Sequence, residues 1–148
     1  MTAFNGHMNE WQSADFWKLI AGDLIGEGVY RRTFECKLDP SLVIKVETST
    51  GTFCNIQEWT TWDNWSRCLS VADWLAPCVS ISPNGLFLLQ RKTTPLDLKK
   101  LPTRLPAFLT DRKTANYGML GKRLVCHDYA FTLATYKENL TKVIWHDM

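Results

Sequence analysis

The sequence predicts an α+β fold, with a five-stranded antiparallel sheet and one helix followed by a smaller second portion. Two hairpin signals support the sheet, a glycine-bearing turn near Gly26 and the Pro83-Asn84-Gly85 turn. The helix is predicted from Glu58, Trp62 and Trp65, which recur at helical spacing.

The predicted elements follow one another with short connections. Ser13 is expected to cap a helix that ends at Gly22, and Thr52 is expected to cap the next one. The predicted segments are strands within 24–38 and at 42–46, a helix over 53–69, and strands at 79–82 and 86–90.

The second portion contains fewer elements. Three prolines exclude one long helix from residues 91–108. A hairpin with strands at 117–120 and 123–126 about Gly121-Lys122 is predicted next, and apolar spacing predicts a last helix over 131–145. We expect a single domain over 1–148, with about 14–90 in its first part and 91–148 in its second.

Composition excludes several classes of protein. A net charge of +2 is too small to indicate a nucleic-acid partner or an anionic membrane. Five cysteines without a close pair predict reduced thiols and argue against a disulfide framework or a zinc site. No apolar run reaches spanning length and the N-terminus lacks the form of a signal peptide, so we expect a cytoplasmic protein without a membrane partner.

Polar residues bracket the second predicted hairpin. Asp111 and Asn116 are five residues apart with Lys113 between them, and Asp128 follows the hairpin. Phosphoryl transfer needs a carboxylate to receive a hydroxyl proton and oxygen ligands to hold magnesium. A tight hairpin would keep Asn116 and Asp128 near one metal ion, although the same residue types also mark ordinary turns.

Four residues of the first part have two interpretations each. Gly26 and Gly28 would let backbone amides approach phosphates, or would form a hairpin turn. Lys45 would reach an anion, or would face solvent by strand alternation together with Glu47. Glu58 would brace Lys45, or would be an exposed helical carboxylate.

Other side chains favour ordinary structural roles. Tryptophans spaced by three are more typical of a packed helix face than of base stacking, and the dispersed cations are more typical of a solvated face. His127 is expected to pack or to form hydrogen bonds, and no histidine is placed to activate Cys54 or Cys126. The residues considered for nucleic-acid binding are Trp59, Trp62, Trp65, Lys99, Lys100 and Arg104.

The order of these features over residues 24–130 resembles the protein-kinase-like family. Glycine turn, strand lysine, helix glutamate, hairpin, Asp-x-Lys-x-x-Asn, second hairpin and aspartate follow one another as in that family. The resemblance implies a kinase-like N-lobe with a strongly reduced C-terminal lobe, ATP and Mg2+ as cofactors, and a protein as substrate or partner. The small size also resembles kinase-like proteins carried by bacteriophages, which would act in the host cytoplasm.

The resemblance implies a role for each matching residue. Asp111 matches the catalytic base, and Lys113 is available to the transferred phosphate. Asn116 and Asp128 match the metal ligands. The implied nucleotide-binding residues are Gly26, Gly28, Arg31, Lys45, Glu58, Gln90 and Arg91.

The sequence also departs from the family pattern. Arg31 stands at the third glycine position, where it would bind a phosphate or fill the nucleotide space. Leu109-Thr110 replaces the usual His-Arg, so the loop must be braced differently, and Ala130 replaces a glycine. No Ala-Pro-Glu segment follows, and 18 residues remain after Ala130.

Two functions are therefore predicted. The first is an ATP- and magnesium-dependent phosphotransferase acting on a protein. The second is a pseudokinase-like protein that binds and modulates a partner. A second copy of the chain, in a homodimer, is one way to supply the missing acceptor side.

Overall fold

The computed structural model describes residues 19–49, 51–130 and 139–146. The chain divides into two compact units, each described by itself. The sheet unit comprises Met1–Asn55 and Val79–Arg91, and the hairpin unit comprises Ile56–Cys78 and Lys92–Met148. The sheet unit ends at Arg91, and residues 56–78 group with the later part of the chain.

The five-stranded antiparallel sheet predicted from the sequence is present. Its spatial order is β1-β2-β3-β5-β4. Its strands are β1 (Ala21–Glu27), β2 (Arg31–Cys36), β3 (Leu42–Glu47), β4 (Cys78–Ile81) and β5 (Phe87–Arg91).

Strand β3 is the centre of this sheet because its apolar run is buried. Phe34 lies opposite Ile44, and Ile44 lies opposite Leu89 on the other side. Two register shifts interrupt the pairing of the edge strand β1 with β2. The core packs Ile20, Cys36, Leu42, Ile44 and Phe87.

The predicted helix is shorter than expected. Helix α1 spans Cys54–Trp65 rather than 53–69, because the chain becomes extended at Cys68, with φ −101° and ψ 99°. A short helix α2 follows at Leu69–Ala72. The second predicted hairpin is confirmed to the residue, as β7 (Tyr117–Leu120) and β8 (Arg123–Cys126), with Gly121 at φ 61° in its turn.

The predicted helix over 131–145 is wrong for the residues described there. Strand β9 (Leu140–Lys142) pairs with β6 (Arg104–Pro106), and exposure alternates along residues 140–145. A period of two, with β-branched Thr141, Val143 and Ile144, favours an extended chain over a helix. Residues 131–138, and most of the helix predicted from Ser13, lie outside the described part.

Two further expectations concern the described residues. None of the five cysteines forms a disulfide. No helix in this part of the chain is long and apolar enough to cross a membrane.

Candidate active site

A glutamate of the sheet caps helix α1. The Glu47 carboxylate oxygen Oε1 accepts hydrogen bonds from the backbone N–H of Cys54 at 2.7 Å and of Asn55 at 3.4 Å. The hydroxyl of Thr52, the cap predicted from the sequence, also donates to this oxygen at 3.5 Å. A carboxylate at this position stabilises the helix because unpaired N–H groups and the helix dipole both favour negative charge there.

Arg31 joins the same part of the sheet unit. It begins β2, lies opposite Glu47, and is buried. Its guanidinium Nη1 donates to Asn55 Oδ1 at 3.2 Å, and Asn55 Nδ2 donates to the carbonyls of Lys45 and Leu86, each at 3.0 Å. The Arg31 guanidinium is therefore linked through Asn55 to the backbone of Lys45 and Leu86. Its role as a phosphate ligand or pocket-filling residue stays a prediction.

The protein itself does not require glycine at positions 26 and 28. Gly26 lies in β1 opposite Thr33, and Gly28 N donates to the Arg31 carbonyl at 2.8 Å in the turn. A Cβ added at Gly26 or Gly28 would meet nothing closer than 3.7 Å or 3.6 Å respectively, which is ordinary van der Waals contact. Neither residue has the positive φ that favours glycine.

The remaining sheet-unit candidates lie on β3 and β5. Lys45 is buried, 5% exposed, between Thr33 of β2 and Leu88 of β5. The alternative in which Lys45 faces solvent is therefore wrong. Gln90 is fully buried, and Arg91 is exposed at the end of β5.

In the hairpin unit, Asp111 and Lys113 are exposed on either side of the half-buried Arg112. The Arg112 guanidinium donates to the carbonyls of Leu109, Pro106 and Lys142, at 2.9, 3.4 and 3.1 Å, and to Thr141 Oγ1 at 2.6 Å. Arg112 thus ties its own loop to β9.

Backbone hydrogen bonds continue the attachment of this loop. His146 N donates to the Arg112 carbonyl at 3.0 Å, and Thr114 N donates to the His146 carbonyl at 3.0 Å. The buried Tyr117 hydroxyl donates to the Asp111 carbonyl at 2.8 Å, and the Tyr117 ring meets the Trp145 ring edge to face, with centroids 5.1 Å apart. His146 and Tyr117 therefore hold the backbone of this loop from Asp111 to Thr114.

We expect the buried Tyr117 hydroxyl to cause a measurable loss of stability at alkaline pH. Burial raises the pKa of the Tyr117 hydroxyl well above its usual value. Above about pH 10 the unfolded chain releases this proton while the folded protein keeps it, so the free energy of unfolding falls by about 1.4 kcal/mol per pH unit. We expect urea unfolding between pH 10 and 11 to show this extra slope for wild type but not for Tyr117→Phe. Equal slopes would contradict the assignment.

Asn116 and Asp128 lie at the two ends of the β7–β8 hairpin. His127 N donates to the Asn116 carbonyl at 2.8 Å, which closes the base of the hairpin. The His127 ring bonds at both nitrogens, Nε2 to the Ala115 carbonyl at 2.8 Å and Nδ1 to Thr93 Oγ1 at 2.7 Å. Because a carbonyl only accepts, Nε2 carries a proton; this is the hydrogen-bonding role expected for His127.

Glu58 holds the other side of Asp128. It is fully buried, so its interpretation as an exposed helical carboxylate is wrong. Its Oε1 accepts the backbone N–H of Tyr129 at 2.7 Å, and the buried Tyr129 hydroxyl donates to the Ala76 carbonyl at 2.7 Å. Asp128 itself is exposed. The turn that presents its carboxylate is therefore anchored at both neighbouring residues.

The donor chemistry at the hairpin ends suits magnesium. An amide oxygen from Asn116 and a carboxylate from Asp128 are hard oxygen ligands, and magnesium in phosphate-transfer sites takes one or two such protein ligands with substrate oxygens completing the shell. Among the described residues no cluster of three His, Cys, Asp or Glu side chains could hold a metal ion alone.

No protein-family profile matches the chain. No curated protein matches its sequence.

Proposed function

We propose that this protein is an ATP- and magnesium-dependent phosphotransferase acting on a protein hydroxyl, built as a reduced relative of protein kinases. The observation that carries the proposal is a pattern of exposure in the hairpin unit. Asp111, Lys113 and Asp128 are exposed, yet each lies next to an anchored residue, Arg112 or Tyr129. Positioning of this kind is the main source of catalysis in phosphoryl transfer.

The hairpin unit would supply the transfer chemistry. Asp111 orients the acceptor hydroxyl and takes its proton as the new oxygen–phosphorus bond forms, while the bond from the γ-phosphorus to the β–γ bridging oxygen breaks and ADP leaves. Lys113 neutralises the transferred phosphate. Asn116 and Asp128 would hold magnesium, which when bound neutralises charge on the phosphate oxygens.

The sheet unit would supply the nucleotide contacts. The buried Lys45 ammonium would pair with phosphate oxygens. Gly26 and Gly28, which nothing in the protein requires to be glycine, would let backbone amides approach the phosphates. The backbone of Gln90 and Arg91 is the proposed adenine contact.

Calorimetry with ATP and magnesium tests the proposal. We expect binding in wild type and an affinity lower by roughly tenfold or more in Asp128→Ala and in Lys45→Met, because charge-assisted hydrogen bonds contribute about 1.5–3 kcal/mol. Lys45→Met keeps the buried stem of the side chain. Lys37→Ala, an exposed lysine just after β2, is the matched control. Absence of binding at millimolar ATP would remove the proposal.

A second function, a kinase-like protein that binds a partner with little catalysis, is favoured by a different observation. Leu140 and Ile144 of the hairpin unit are 52% and 73% exposed. Both lie on the same face of the extended segment 140–145, and a contiguous exposed apolar patch bordered by polar residues marks an interaction site. The variants Asp111→Asn and Asp128→Asn distinguish the two functions.

A further inference from the structure

The exposed face of the C-terminal strand combines aliphatic and cationic side chains. Along residues 140–145 the side chains at 140, 142 and 144 are exposed, while Val143 is buried and its two neighbours on that face, Thr141 and Trp145, are half-buried. Since alternate residues of an extended chain share a face, Leu140, Lys142 and Ile144 project together.

Arg104 adds a second cation to this face. It is the residue of β6 directly opposite Lys142, so the two side chains lie side by side on the same surface. Both are exposed, and within residues 19–49, 51–130 and 139–146 no hydrogen bond or ion pair reaches either side chain. Like charges directly opposite each other destabilise a strand pair, so an anion placed between them would be stabilising.

We propose that Leu140, Lys142, Ile144 and Arg104, here called the C-terminal stripe, bind an extended acidic and aliphatic segment of a protein partner. Paired cations fit carboxylates, and the flanking Leu140 and Ile144 fit aliphatic side chains of the same segment. A nucleic acid would satisfy the cations but would leave these two aliphatic residues without a complementary contact.

The opposite side of the same strand holds the Asp111 loop. The Lys142 carbonyl accepts from Arg112, and Thr141 accepts from the same guanidinium. Leu140, Lys142 and Ile144 of the stripe therefore belong to the same segment that anchors the Asp111 loop. This step rests on the proposed function and names its acceptor class, a protein with an acidic docking segment.

Fluorescence anisotropy with two labelled peptides tests the stripe. One peptide has two glutamates flanked by leucine and isoleucine in an extended serine background, and its counterpart has lysines in place of the glutamates. We expect wild type to bind the acidic peptide at least roughly tenfold more tightly, since each of two exposed ion pairs contributes a few-fold. Arg104→Glu with Lys142→Glu should reverse this preference, and Leu140→Ser with Ile144→Ser should weaken binding of the acidic peptide.

The matched control is Lys37→Glu with Lys122→Glu, which changes the net charge equally at two exposed lysines elsewhere in the chain. It should keep the affinity of wild type, and circular dichroism should confirm that every variant is folded. Equal loss in the control, no binding of the acidic peptide, or binding of a single-stranded oligonucleotide in its place would overturn the proposal. Peptide binding is measured without ATP, so its failure is separate from failure of phosphoryl transfer.

Discussion

Asp111→Asn is expected to lower phosphoryl transfer from ATP by roughly 10²–10⁴-fold, the usual contribution of a general base. The loop should keep its conformation, because the backbone carbonyl of Asp111 accepts a hydrogen bond from Tyr117, and the guanidinium of the next residue, Arg112, donates to Thr141. Affinity for ATP and magnesium should therefore change little. Labelled ATP and calorimetry measure the two quantities on the same preparation.

The same variant separates an enzyme from a binding protein. In a cell where the protein has a measurable effect, an enzyme should lose that effect with Asp111→Asn and with Asp128→Asn while remaining folded. A binding protein should keep the effect in both variants and lose it when Leu140 and Ile144 become serine. A retained effect with no labelled product would promote the second function.

Gly118→Ala is expected to destabilise the protein by roughly 3 kcal/mol, toward the upper end of what overpacking costs. A Cβ at Gly118 would lie 2.6 Å from Thr93 Cβ and 2.9 Å from the Thr94 carbonyl oxygen. The backbone cannot move apart there without losing two hydrogen bonds, because Thr94 N donates to the Met119 carbonyl at 2.9 Å and Met119 N donates to the Thr94 carbonyl at 2.8 Å. Urea unfolding followed by tryptophan fluorescence measures the change.

Gly26→Ala is the matched control for this substitution. Its Cβ would make only ordinary contacts, so its stability should equal or slightly exceed that of wild type. The displaced Thr93 in Gly118→Ala should also lose its hydrogen bond to His127, beside Asp128. Equal unfolding midpoints for the two variants would show that the close approach at Gly118 is relieved at little cost.

Local signals predicted much of the fold. Glycine turns and short apolar runs identified all five strands of the sheet and both strands of the β7–β8 hairpin, because turn type and alternation are properties of neighbouring residues. The helix over 131–145 failed in its described part because apolar spacing alone does not distinguish a helix there from the extended chain observed, whose exposure alternates along residues 140–145. A partner strand as distant as β6 decided between them.

The candidate site could be predicted only in its polar residues. Asp111, Asn116 and Asp128 were predicted from residue type and spacing, and their roles stay predictions. The anchors were missed, since Arg112 bonds to residues about 30 positions later and Glu58 to the amide of Tyr129, 71 positions later. A single sequence carries no signal for such pairings.

The attachment of the Asp111 loop to residues 140–146 has a consequence for biosynthesis. Those residues are made well after the loop, so the loop lacks its hydrogen bonds until the later segment has been synthesised and has paired with β6. Domains fold progressively from the N-terminus as the chain emerges. A nascent chain would therefore form its sheet early, while the Asp111 loop stays without these hydrogen bonds until the ribosome has passed this strand.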